Sequence, residues 1–148
     1  MKRAVFIGHN ECYGLSKSEL SKAIEDYINL GISEFFSGGQ GRFDRAAALE
    51  VYKTKKNYGH IKNILVVPYP DFNIFNKELF DEIIYPENFE KYTYKSAIPA
   101  RNKYMVNNSD VAICYVNHGW GNAAKTYKIA KRKGLQIINI APNASSEI

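Results

Sequence analysis

Three short runs combine glycine with hydrogen-bonding side chains directly after apolar, β-rich segments: Gly8-His9-Asn10, Ser37-Gly38-Gly39-Gln40-Gly41 and Asn117-His118-Gly119-Trp120-Gly121-Asn122. Glycine at such a place lets backbone N–H groups approach an anion. A helix that starts just afterwards turns its positive end toward the same point, so the chemistry this spacing suits is capture of a phosphoester. One glycine turn is equally well a tight turn that needs positive φ. Two of them, each followed by a helix start and flanked by Ser37 or Asn122, favour phosphate or ribose binding. Two near-motifs are set aside. Gly39-x-Gly41-x-x-Asp44 lacks the third glycine of a dinucleotide fingerprint and follows the second strand, and Gly119 to Thr126 has Ala124 where a P-loop needs its second glycine.

Other side chains near these runs have two readings each. Arg101, at the expected start of a helix, either grips a phosphate bidentately or pairs with Asp44 or Asp110. Asp44 suits ribose hydroxyls or a helix N-cap, and His9 suits phosphate donation, acid/base work or a structural role. Trp120, between two loop glycines, is a candidate for stacking on a base. Tyr104 is a candidate too, although packing against the sheet explains it as well. Asn102, Arg42 and Lys125 complete the set of expected ligand contacts. Cys12 has no partner base in sequence, so a nucleophilic role is not expected, and no Cys/His spacing suggests a metal. No catalytic residue is assigned and no cofactor is expected.

The elements that must position these groups alternate. Arg3–Gly8 reads as a strand covered on both faces. Ser16 to Glu19 has a capping-box pattern, and Leu20, Ile24, Tyr27 and Ile28 form the apolar stripe of a helix that Gly31 ends. Strands follow at 32–37, 61–67, 110–116 and 136–140. Helices are expected at 46–56, from Pro99 to 107, and from 122 to 134. The stretch from Tyr69 to Pro99 is hard to read beyond a strand near 82–85 and an aromatic loop. This pattern predicts an α/β fold, a three-layer Rossmann-like open sheet, mainly parallel and flanked by helices, in which ligands meet the C-terminal ends of the strands.

The chain has 148 residues, 45% apolar and 24% charged, which fits a single globular domain over 1–148 with 143–148 as a loose tail. Two unpaired-looking cysteines and no apolar run near membrane-spanning length predict a cytoplasmic protein without a membrane partner. The net charge of +5 lies largely on late-helix cations such as Lys131, Arg132 and Lys133, where they complement helix dipoles, and no recognition pattern accompanies them. Nucleic acid is therefore not expected as the partner. The 14% aromatic content, with 11 Tyr, 8 Phe and one Trp, leaves room for a base-stacking surface or a homo-oligomer interface.

The three glycine runs, with Arg101-Asn-Lys-Tyr-Met-Val-Asn-Asn-Ser-Asp110, resemble the SLOG superfamily, in the subgroup of YpsA and DUF1273 proteins that is related to LOG and DprA Rossmannoid domains. Ile7-Gly8-His9-Asn10 stands where those proteins have Thr-Gly-His-Arg. Ser37 to Asp44, followed by Ala46-Ala-Ala48, matches their Ser-Gly-Gly-Ala-x-Gly-x-Asp turn, and Arg101 to Asp110 matches their Arg-Asn-x-Tyr-Met-Val-Asp-x-Ser-Asp segment. The resemblance implies a Rossmannoid fold that binds a nucleotide or nucleotide-derived signal, as sensor or sequestering protein, at Gly8, His9, Ser37, Gly38, Gly39, Gly41, Arg42, Asp44, Arg101, Asn102, Tyr104, Gly119, Trp120, Gly121, Asn122 and Lys125. LOG proteins cleave nucleotide N-glycosidic bonds with a Pro-Gly-Gly-x-Gly-Thr-x-x-Glu motif. Here that glutamate is missing, so a phosphoribohydrolase would need a carboxylate from Glu78 to Glu90. A nucleic-acid accessory role is the third reading.

Overall fold

The computed structural model describes residues 1–142; the tail expected at 143–148 lies outside the described residues. Six strands, β1 (Arg3–Gly8), β2 (Glu34–Ser37), β3 (Lys62–Val66), β4 (Glu82–Ile84), β5 (Val111–Tyr115) and β6 (Gln136–Asn139), form one wholly parallel sheet in the order β4-β3-β2-β1-β5-β6. Four helices flank it: α1 (Lys17–Asn29), α2 (Gly41–Thr54), α3 (Tyr94–Asn107) and α4 (Asn122–Arg132). The α/β Rossmann-like expectation is met.

Strand alternation builds the two apolar layers. Ala4 and Phe6 of β1, with Val111, Ile113 and Tyr115 of β5, face α1 and α2, and the stripe Leu20, Ile24, Tyr27 and Ile28 packs onto them. Val5 and Ile7, with Ala112, Cys114 and Val116, face Met105 and Val106 of α3 and Ala124 and Ala130 of α4. Both sides of the central strands are covered, which is why they read as unbroken apolar runs. The hydroxyl of the buried Tyr27 donates to Ala112 O and Gln136 O and so ties α1 to β5 and β6.

Two helices begin earlier than the sequence suggests. α3 starts at Tyr94 because Thr93 and Ser96 form a reciprocal capping box, and Pro99 sits inside the helix and not in its first turn. α2 starts at Gly41, five residues before Ala46. Its N-terminus is capped from two directions: Asn10 Oδ1 accepts from Arg42 N at 2.9 Å, and Asp44, one turn inside, accepts from Gln40 N at 3.1 Å. Asp44 is therefore not at the N-cap position, which Gln40 holds.

The close seat of α2 on β1 depends on Gly8. A Cβ there would lie 2.2 Å from Phe43 Cδ2, and Phe43 is fully buried. Gly8→Ala is expected to lower stability by about 1 to 3 kcal/mol through overpacking. Adding Phe43→Leu should make the double variant more stable than the sum of the two single effects; simple additivity in urea unfolding would contradict this contact.

Candidate functional site

The strand order reverses between β1 and β5: successive strands run outward from β1 to one side, and β5 and β6 lie on the other. An open parallel sheet leaves a crevice at such a point, outside the strands' C-terminal ends. Here it is a cleft of about 620 Å³, within the usual range for a small-molecule site. Gly8, His9, Gly41, Arg42, Asp44, Arg101, Asn102, Trp120, Gly121 and Asn122 line it, as do Asn10, Glu11, Gln40, Arg45, His118 and Thr126. Ser37, Gly38, Gly39, Tyr104, Gly119 and Lys125 lie outside its wall.

Gly38, Gly39, Tyr104 and Gly119 pack or bond within the protein, whereas Ser37 Oγ is buried without a hydrogen-bond partner among the described residues. Arg101 is 1% exposed. Its Nη1 donates to Gly38 O and Val66 O at 2.8 and 2.9 Å, Nη2 to Gln40 Oε1 at 3.1 Å, and Nε to Asn102 Oδ1 at 2.9 Å. Four of the five N–H groups a guanidinium carries are thus committed to the protein, so the bidentate phosphate grip expected of Arg101 is not open to it in this arrangement. Gly38 is glycine because a Cβ there would stand 2.7 Å from Arg101 Cζ. Gly39 has φ 64°, and a Cβ there would lie 2.5 Å from Leu65 Cδ1. Tyr104 stacks on Phe36, 6.4 Å between centroids, and meets the edge of Phe89. Lys125 is exposed on α4, and Lys128 Nζ donates to Gly119 O.

The cleft's own cations are Arg42 and Arg45, which form no ion pair among the described residues. Arg45 lies over Phe75 and Arg42 over Tyr13. Arg45 escaped sequence reasoning because it falls outside the glycine run and one helical position past Asp44.

The two helix N-termini at the cleft differ. That of α2 is closed by Asn10 and Asp44, whereas α4 has Gly121 at its N-cap, at φ 93°, with no side-chain cap. Among the described residues no side chain accepts from the first-turn N–H groups of α4, which border the cleft at Gly121, Asn122 and Ala123. Three rings that line the same cleft stand in a row. His9 and His118 stack with centroids 3.6 Å apart and 9° between planes, and His118 stacks on Trp120 at 3.7 Å and 19°. Trp120 is 70% exposed, so its second face is open to solvent. His118 was not singled out from the sequence; only its pairing with His9 across the β1/β5 crevice marks it.

Two groups in the cleft are shifted in opposite directions. His9, whose Nε2 accepts from Asn117 N, is lowered to about 4 by desolvation and by the neighbouring His118. Asp44 is raised to about 6 by desolvation, opposed by the Gln40 N–H and the Arg101 charge. No glutamate between Glu78 and Glu90 lines the cleft. Glu82 pairs with Lys62 and Glu90 lines a separate pocket, so the expectation of a carboxylate from that region is not met.

The YpsA family model, described as the YspA SLOG family, matches residues 4–139. The chain belongs to the YpsA SLOG family. Among curated proteins, the uncharacterized SPbeta prophage-derived protein YoqJ of Bacillus subtilis (strain 168) is 26% identical over 155 residues, spanning 89% of this chain and 91% of YoqJ. Among solved structures, DNA processing protein A from Helicobacter pylori superposes with a TM-score of 0.64 at 18% identity, over 97% of this chain and 67% of that one. DNA processing protein A (DprA) from Streptococcus pneumoniae gives 0.65 at 19%, over 99% of this chain; the SLOG chain spans about half of that longer protein (54%). These two likenesses establish the shared fold.

The opposed shifts of His9 and Asp44 predict opposed pH effects. A neutral folded-state His9 loses its contribution as pH falls from 6.5 toward 4, because the unfolded chain takes up the proton first. A folded-state Asp44 that holds its proton contributes below 3.8 and loses that contribution as pH rises toward 6. Relative to the parent, His9→Gln should gain stability as pH falls through this range and Asp44→Asn as pH rises, each by at most about 1.4 kcal/mol per pH unit. Urea midpoints from pH 4 to 7 that move in parallel for both variants would contradict these environments.

Proposed function

We propose that this SLOG chain binds a nucleotide or nucleotide-derived ligand in the cleft at the β1/β5 crevice, as a sensor or sequestering protein. The observation that carries the reading is the juxtaposition of the uncapped α4 N-terminus with the free face of Trp120. The first suits phosphate oxygens, the second suits a base, and both border one cleft. Asn122 adds a side-chain hydrogen bond at the phosphate end, and Arg42 and Arg45 supply the countercharge in place of the buried Arg101. Asp44 and Asn102 also line the cleft, where ribose hydroxyls would find a carboxylate and an amide.

Single-stranded nucleic acid is the second reading, favoured by one observation: the H. pylori neighbour is described for its single-stranded DNA binding mode. The earlier expectation against nucleic acid is weakened accordingly. An exposed tryptophan in one cleft with two arginines that form no ion pair among the described residues is a combination that can hold a strand by stacking and charge. The Lys131 to Lys133 cluster lies at or beyond the opposite end of α4, about 16 Å away for an 11-residue helix, and serves neither reading at the cleft. N-glycosidic hydrolysis would have to use Asp44 or Glu11, the carboxylates that do line the cleft.

Thermal unfolding against AMP, ADP-ribose and cyclic nucleotides tests the proposal. At least one compound should raise Tm in a concentration-dependent way. Trp120→Ala and Arg42→Gln should each weaken that ligand about tenfold or more, without lowering the Tm of the free protein by more than a few degrees. No shift with any compound would overturn it. A shift seen only with single-stranded oligonucleotides, steeply reduced by salt, would favour the second reading.

A further inference from the structure

A second pocket, of about 270 Å³, opens at the C-terminal ends of β3 and β4, the same edge of the sheet as the cleft, but no lining residue is common to the two. Its walls are largely aromatic: Tyr69, Tyr85, Phe89, Tyr92 and Tyr94, with Glu90, whose charge acts on Tyr85, also lining it. Neighbouring rings meet at steep angles. Tyr69 and Tyr94 lie 4.3 Å apart at 76°, Phe89 and Tyr92 5.0 Å at 74°, and Tyr85 and Phe89 6.3 Å at 80°. A flat base is best received by a slot of parallel faces. Rings set at right angles make a box, which suits a compact, rounded group.

The charge around the box is negative. Asp71 accepts from the Tyr94 hydroxyl with both carboxylate oxygens, at 2.8 and 2.9 Å. That hydrogen bond holds the Tyr94 hydroxyl above its usual range, and desolvation followed by the Glu90 charge does the same for Tyr85. Tyrosine and phenylalanine faces carry negative quadrupole potential as well. The positive end of α3 lies close by, but its capping box already satisfies the Ser96 and Thr93 N–H groups. A cation from the protein itself sits on this wall: Lys91 Nζ lies 5.2 Å from the Tyr92 ring centroid. Phosphate is disfavoured by the two carboxylates.

We propose that this pocket is an aromatic cage for an alkylammonium group, such as a trimethylammonium, independent of the nucleotide cleft. The group can come from a small molecule or from a methylated lysine of a protein, and the chemistry recognised is the same. It enters between the tyrosine faces, with Glu90 as its counterion.

NMR titration of the tyrosine ring protons in the intact chain tests this. The probes are choline, its neutral isostere with tert-butyl in place of trimethylammonium, a trimethyl-lysine peptide, its unmodified form, and adenosine, all at constant ionic strength. Choline or the methylated peptide should shift the ring signals saturably, and the stronger of the two identifies the source. The neutral isostere should bind about fivefold more weakly or worse, and Glu90→Gln and Tyr92→Leu should each weaken binding several-fold. Equal binding of choline and its isostere would reduce the cage to an apolar pocket and overturn the proposal. So would shifts with adenosine but not choline, or no shifts at all. The isostere comparison needs no variant, so it stands even if a substitution disturbs folding.

Discussion

The buried guanidinium of Arg101 is the interaction on which the cleft depends. An arginine taken out of water is costly unless its donors are met and a counter-charge is near. Here four donors are met, and Asp44 is the acid whose charge acts on it. The partners come from different parts of the chain. Gly38 and Gln40 belong to the loop after β2, Val66 ends β3, and Asn102 lies on α3, so one planar side chain fixes the loop, the strand end and the helix relative to each other. The requirement runs outward from there. Gly38 must lack a Cβ, Gln40 must offer its amide oxygen, and the loop must then deliver Gly41 into the first turn of α2 where Asn10 can cap it. A segment that reads as a phosphate loop is in large part a loop folded around an internal cation.

This inversion explains the asymmetry of the cleft. The α2 side is satisfied by the protein's own side chains, while the α4 side ends in a glycine with positive φ and no cap. The β1/β5 reversal brings His9 against His118, and the stack continues into Trp120. Keeping His9 neutral preserves its acceptor for Asn117 N, which holds the start of the third glycine run against the end of β1. Sheet topology, ring stacking and the open helix end thus converge on one wall.

Much of this was legible in the residues. The central strands announced themselves because burial on both faces removes polar alternation, and Ser16, Gly31 and the Leu20–Ile28 stripe marked α1 through capping and period alone. The three glycine runs follow β1, β2 and β5 and so lie at one edge of the sheet, as their place after apolar runs implied. What could not be read were properties of pairing across distance. Arg101 looks the same in sequence whether it meets a phosphate or Gly38 O, 63 positions away. His118 acquires meaning only beside His9, and Arg45 only once α2 begins at Gly41. Pro99 suggested a helix start because proline favours the first turn, but the Thr93/Ser96 box outranked it. The aromatic stretch from Tyr69 to Pro99 has no period because much of it forms a pocket wall and not a regular element.

A nucleotide bound as proposed sits against the open end of α4 and the free face of Trp120. Backbone amide NMR of the isotope-labelled chain, titrated in turn with AMP, ADP-ribose and a cyclic nucleotide, tests this placement. Saturable shifts are expected at Gly121, Asn122 and Ala123, with ring-current changes at Trp120 and His118 and little movement of the Gly38 and Gly39 amides. Shifts confined to the Lys131–Lys133 end of α4, or a spectrum that none of these compounds changes at saturating concentration, would contradict it.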